Sequence, residues 1–126
     1  MITAYRISHH QFIEDTTGIG AKKYGGRWNP QGVPCLYCST QLSLAVLEKL
    51  VHAQGKTDLV NLASISFKIP AGAALYSIDV KKMEQDWRNN VAYTQWLGQQ
   101  ILSDINFAGF IVPSIIIEME NNIVLN

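Results

Sequence analysis

The chain has little charge and no surplus of either sign. Lys and Arg together number 10, Asp and Glu number 10, and the formal net charge is +0. A protein whose affinity comes from neutralising many nucleic-acid phosphates carries a basic excess, so direct nucleic-acid binding is not expected. No apolar run approaches the roughly 20 residues of a membrane-spanning helix. The first residues, Met1-Ile2-Thr3-Ala4-Tyr5-Arg6, show neither the basic start nor the long apolar core of a secretion signal. A cytoplasmic protein that stays off membranes is expected. Cysteines number 2, Cys35 and Cys38. A structural zinc site takes about four ligands, and no second Cys/His pair has matching spacing, so no metal is expected. Both cysteines sit in the apolar stretch Val33-Pro34-Cys35-Leu36-Tyr37-Cys38, which reads as a strand. There they point to opposite faces and are expected to be small buried side chains, not a redox couple. The G-x-G-x-x-G and Walker patterns for nucleotides are also absent, as are internal repeats, low-complexity tracts and linkers.

The composition is that of a globular protein. The 126 residues are 48% hydrophobic and 16% charged, too apolar for disorder and enough to close one core. One domain over 1–126 is expected. Met1 to Ile7 reads as a strand. Residues 9–24 are polar and contain glycines, a long loop or a short helix ending in loop. Val33 to Ser39 reads as the next strand. The clearest helix follows, with Ser39 or Thr40 as cap. Leu44, Leu47, Leu50 and Val51 recur at helical spacing as a buried stripe. The helix is expected to run to about Gln54 and stop at Gly55, with Glu48 at the edge of the stripe. Ala63, Ile65, Phe67 and Ile69 alternate with polar residues, the mark of a half-buried strand. Leu75 to Asp79 reads as a short strand and Lys81 to Arg88 as a short helix. Val91 to Ser103 reads as a longer helix packing through Val91, Trp96, Leu97, Ile101 and Leu102. Gly109 to Val112, Ile115 to Ile117 and Asn122 to Leu125 read as strands. The absence of a regular βαβ alternation points to an α+β fold.

The stretch with the most chemical content is Gly25-Gly26-Arg27-Trp28-Asn29-Pro30. Paired glycines let the backbone approach a ligand closely. Arg27 adds a planar, always-charged fork suited to phosphate or carboxylate oxygens, and Asn29-Pro30 turns the chain. A phosphate-bearing small ligand fits this bend.

Taken in order, Tyr5-Arg6, Gly25-Gly26-Arg27-Trp28-Asn29, Tyr37, Ser43 to Glu48 with His52, Val112-Pro113-Ser114 and the Asn121 to Asn126 segment resemble the RES-domain family, named for its Arg, Glu and Ser. The resemblance covers almost the whole chain. It implies a mixed β-sheet core flanked by helices, similar to ADP-ribosyltransferase toxins. It also implies the toxin of a bacterial type II toxin–antitoxin pair that takes NAD⁺ as substrate and needs no cofactor. The nicotinamide–ribose bond would be broken by water or phosphate. Some relatives transfer ADP-ribose to a protein, and a catalytically silent module that regulates its antitoxin is a third reading. The partner implied is an Xre-like helix-turn-helix antitoxin that blocks the pocket; homo-oligomer or complex with the antitoxin both remain open. Family members continue past the final Asn with a proline and a further strand, so the domain is expected to be trimmed or a short member.

Carried onto this chain, the resemblance makes Arg27, Tyr37, Glu48 and Ser114 the catalytic set, with Arg6, Arg27 and Tyr37 in contact with NAD⁺. Cleavage moves positive charge from the pyridinium onto the ribose, which calls for a carboxylate there (Glu48). An aromatic face suits the pyridinium (Tyr37), and cations suit the pyrophosphate (Arg27 and Arg6). Ser114 is expected to bond the carboxamide or to orient Tyr37. His9, His10 and His52 are read as surface or packing residues.

Overall fold

A computed structural model describes residues 1–52 and 59–126 of the chain. Its strands are β1 (Ile2–His9), β2 (Leu36–Ser39), β3 (Leu62–Ile69), β4 (Leu75–Ser77), β5 (Gly109–Pro113) and β6 (Asn121–Leu125), and its α-helices are α1 (Ile19–Tyr24), α2 (Leu42–Val51) and α3 (Val91–Leu102). The strands form one six-stranded sheet in the order β3-β1-β2-β6-β5-β4. All neighbours are antiparallel except β4 and β5, which run parallel. The architecture is the α+β one expected.

Alternation along the strands sends side chains to two sides. Phe110, Val112 and Val124 join Trp28, Trp87, Ile101 and Leu102 in one apolar cluster. Leu36, Cys38 and Ile123 join Ala4 and Ile69 in the other. The period of two that the sequence shows is thus converted into two cores. Cys35 packs in the first cluster and Cys38 in the second, both as free thiols. Burial pushes each thiol up to about 12. Neither cysteine is expected to react with a thiol reagent at mildly alkaline pH until the protein is unfolded, because the thiolate is the reactive species. Rapid labelling of the native protein would contradict that packing.

One joint of the sheet is weak. β1 pairs with β3 over its whole length, from Ile2↔Ile69 to His9↔Leu62. β2 pairs with β6 from Leu36↔Leu125 to Ser39↔Asn122. The two halves meet only at Tyr5↔Ser39. Beyond that pair β1 and β2 separate, and residues from both strands line the space between them.

Several expected elements differ. The α2 cap is Gln41, with no side-chain bond to the helix; Ser39 and Thr40 turn instead to Asn122 and to the Asn121 carbonyl. The expected stop at Gln54–Gly55 lies outside the described residues. Only Leu44 and Ala45 of α2 are buried, while Leu47, Leu50 and Val51 are exposed. The helix rests on β1 and β2 through a narrow contact, so its apolar stripe is wider than the surface it covers. Residues 81–88 form 3₁₀ turns, Val80–Lys82 and Trp87–Asn89, not a helix. Ile115 to Ile117 form a bend, not a strand, because the Ser114 hydroxyl captures the Ile116 and Ile117 amides. Trp96 is exposed, and its expected place in the core is held by Trp28 and Trp87, whose rings lie 5.9 Å apart. Residues 9–24 contain turns followed by the short helix α1.

Candidate active site

The Gly25–Trp28 bend is held from three directions. The Gly25 φ of 72° is one that glycine adopts freely. From α3, the Thr94 hydroxyl donates to the Arg27 carbonyl at 2.6 Å, and the Gln95 amide donates to the Gly26 carbonyl at 2.8 Å. From below, fully buried Asn29 donates to the carbonyls of Ala21 and Val33 at 2.9 and 2.8 Å. The Tyr37 hydroxyl donates to the Asn29 side-chain oxygen and accepts from the Trp28 amide at 3.0 Å. A side chain at Gly26 would strike that hydroxyl, since a Cβ there would lie 2.7 Å from it. Burial pushes the Tyr37 hydroxyl well above the ordinary phenol range, so it stays neutral.

The acid comes from α2. Glu48 is partly exposed, and its Oε1 accepts from the Ser114 hydroxyl at 2.9 Å and from the Asn122 amide at 2.8 Å. Its Oε2 lies 3.4 Å from His52 Nε2, on a histidine that is largely exposed. Two regions far apart in sequence, β2 with α2 and the end of β5 with β6, therefore converge on one carboxylate.

Arg6, Arg27, Tyr37 and Glu48 all line a single cleft of about 990 Å³, together with the separating ends of β1 and β2. Ser114 is 2% exposed and stands behind Glu48, reaching it and not Tyr37. Arg6 spends part of its fork on the carbonyls of Phe12 and Ile13, the latter at 2.9 Å. Arg27 gives one nitrogen to the Arg88 carbonyl at 3.0 Å. Neither arginine forms an ion pair with a carboxylate among the described residues. No group of His, Cys, Asp and Glu suited to a metal occurs among the described residues. Sequence reasoning missed Asn29, Asn122 and Ser39. Their roles depend on strand register, which a single sequence does not display.

A mixed sheet that opens between two strands, with an acid, an unpaired arginine and a tyrosine on the cleft, defines a site for a small ligand bearing both charged and aromatic parts. The RES domain family matches residues 3–126, and the chain belongs to that family of toxins. It is 37% identical to Toxin Res of Photorhabdus laumondii over 125 residues, covering 97% of this chain and 80% of that protein. It is 34% identical to Toxin Res of Yersinia enterocolitica over 97% of this chain and 82% of the other. It is 30% identical to the Prs ADP-ribosylating toxin of a Sphingobium species, over 90% of this chain and 73% of that one. The toxin–antitoxin complex MbcT–MbcA of M. tuberculosis contains a similar fold, with a TM-score of 0.67 at 19% identity, over 98% of this chain and 73% of that one. No helix among the described residues is long and apolar enough to cross a membrane.

Proposed function

We propose that this protein breaks NAD⁺ at the nicotinamide–ribose bond and acts as the toxin of a toxin–antitoxin pair. The observation that carries this reading is the shared cleft of Arg27, Tyr37 and Glu48, in a chain of the RES family. In NAD⁺ the positive charge starts on the pyridinium and passes to the ribose as nicotinamide leaves as a neutral molecule. No strong general acid is needed. The Glu48 carboxylate stabilises the growing ribose charge and bonds its hydroxyls; one such aimed group is worth about 3–4 kcal/mol of barrier. Tyr37 supplies the aromatic face, an attraction of about 0.5–2 kcal/mol for a cation over the ring. The free donors of Arg27, with Arg6 beside the same cleft, hold the pyrophosphate. Water or phosphate then captures the ribose carbon. NAD⁺ is substrate here, and the reaction requires no further cofactor.

The test is incubation of the pure protein with NAD⁺, with and without phosphate. Free ADP-ribose identifies hydrolysis and its phosphorylated counterpart identifies phosphorolysis. Unchanged NAD⁺ under both conditions would overturn the reading. Transfer of ADP-ribose to a protein is the second reading, favoured by the likeness to the Sphingobium toxin; a labelled protein in a lysate supplied with NAD⁺ selects it. The partner in this proposal is an Xre-like helix-turn-helix antitoxin that blocks the cleft. Its support is the family membership together with the fold shared with a toxin from a toxin–antitoxin complex.

Arg27→Lys tests the clamp. A point charge does not reproduce a planar fork, and losing one charge-assisted hydrogen bond at about 1.5–3 kcal/mol corresponds to NAD⁺ binding weaker by roughly 10- to 100-fold. Calorimetry on a slow variant measures it directly. Wild-type affinity would remove Arg27 from the clamp.

A further inference from the structure

Oε1 and Oε2 of Glu48 are not equivalent. Oε1 takes two donors and Oε2 takes none from the sheet. We propose that Asn122 and Ser39 form a positioning pair that fixes the plane of the Glu48 carboxylate, so that its second oxygen is held toward the substrate. The proposal rests on the NAD⁺ reading for its chemistry and on geometry for its placement.

An ionised carboxylate only accepts hydrogen bonds. The Asn122 amide, 2.8 Å from Oε1, must therefore present its nitrogen to Glu48. Its oxygen then faces the other way, toward the Ser39 hydroxyl at 2.8 Å. Ser39 must donate there. Ser39 and Asn122 are direct cross-strand partners of β2 and β6, and Ser39 is 3% exposed. Water has little access to the hydroxyl, and the amide has no reason to turn over. Ser114 is fixed in the same manner. Its oxygen accepts from the Ile116 and Ile117 amides at 3.0 and 3.2 Å, so its proton goes to Oε1.

Each donor on Oε1 is thus oriented from behind by a second group. Rotation about the last Glu48 bond is otherwise broad and nearly two-fold. Two fixed donors stop it and leave Oε2 as the oxygen available in the cleft. Asn122 and Ser39 border the same cleft, and in this proposal their effect on turnover comes from their hold on Glu48. A lost donor should therefore slow turnover while leaving the substrate's other contacts alone.

The experiment measures kcat and KM for NAD⁺ in Asn122→Ala, Ser39→Ala, Ser39→Thr and the double alanine variant, with thermal midpoints alongside. Asn122→Ala is expected to lower kcat by about 10- to 100-fold, the equivalent of one charge-assisted bond, with KM little changed. Ser39→Ala is expected to cost about tenfold or less and to add nothing in the Asn122→Ala background, because it acts only through that amide. Ser39→Thr keeps the hydroxyl and should restore kcat. Should Asn122→Ala not fold, the contrast between Ser39→Ala and Ser39→Thr carries the test. Additive losses, a higher KM at unchanged kcat, or wild-type kcat in folded Asn122→Ala would overturn the proposal. The Asn122 side-chain amide resonance reads the lock without turnover, and it is expected to shift in both Ser39→Ala and Glu48→Ala. A wild-type protein that leaves NAD⁺ intact but shows those shifts defeats the NAD⁺ reading alone. Unmoved resonances defeat the positioning pair.

Discussion

Glu48→Gln is expected to lower NAD⁺ consumption by about 10²–10³-fold, the usual cost of removing one group aimed at developing charge. The local hydrogen bonds make this substitution harsher than its size suggests. The Ser114 hydroxyl and the Asn122 amide both donate to Oε1, so the new amide must turn its oxygen toward them. Its nitrogen then occupies the Oε2 position and presents a donor where the ribose becomes cationic. Glu48→Gln should therefore be at least as inactive as Glu48→Ala, although it is closer to the natural side chain in shape. Little change in the thermal midpoint is expected for the glutamine variant, since both donors keep an acceptor. Growth arrest on expression should disappear in parallel. An unchanged turnover rate in either variant would remove Glu48 from the chemistry.

Gly98→Ala is expected to be strongly destabilising. A Cβ at Gly98 would lie 1.8 Å from the Trp28 carbonyl oxygen and 2.8 Å from its carbon. Those atoms are backbone and cannot rotate away. Overpacking of this kind costs about 3 kcal/mol or more, which corresponds to a fall in Tm of roughly 10 °C for a chain of this length. Gly72→Ala is the control, because nothing lies within 4 Å of a Cβ there. The damage should extend beyond stability. α3 holds the bend through Thr94 and Gln95, so pushing the helix away shifts Arg27 and weakens NAD⁺ binding as well. Equal melting of Gly98→Ala and Gly72→Ala would show that α3 does not pack on Trp28 as described.

Much of this was legible in the sequence because it is local. The alternation of Ala63 to Ile69 is visible in a few residues and appears as β3. The helical spacing of Val91 to Ser103 is likewise visible and appears as α3. The Gly25–Pro30 bend and the acid on the following helix were recognisable by residue type and order. Other features were hidden because they depend on distant partners. The stripe Leu47, Leu50 and Val51 shows that α2 is amphipathic, not how much of that face the sheet covers. Trp96 falls at a packing position of α3 by spacing, yet its side chain is exposed while Trp28 is buried, an outcome set by contacts distant in sequence. Ser39 reads as a helix cap in isolation; paired with Asn122 across β2 and β6 it has a different partner. The Glu48 environment is assembled from residues 66 and 74 positions away in sequence, and no local pattern encodes such an encounter.

β6 sits between β2 and β5 although it follows both in the chain, so the middle of the sheet closes after its flanks exist. The strand that closes the middle of the sheet is synthesised after both of its neighbours, β2 and β5. Until then, β2 and β5 have no neighbour to bridge them, and Glu48 lacks the Asn122 amide. The nascent polypeptide therefore carries its arginine bend and its acid before the surroundings of Glu48 are complete. Long-range closure of this sort is slow by nature.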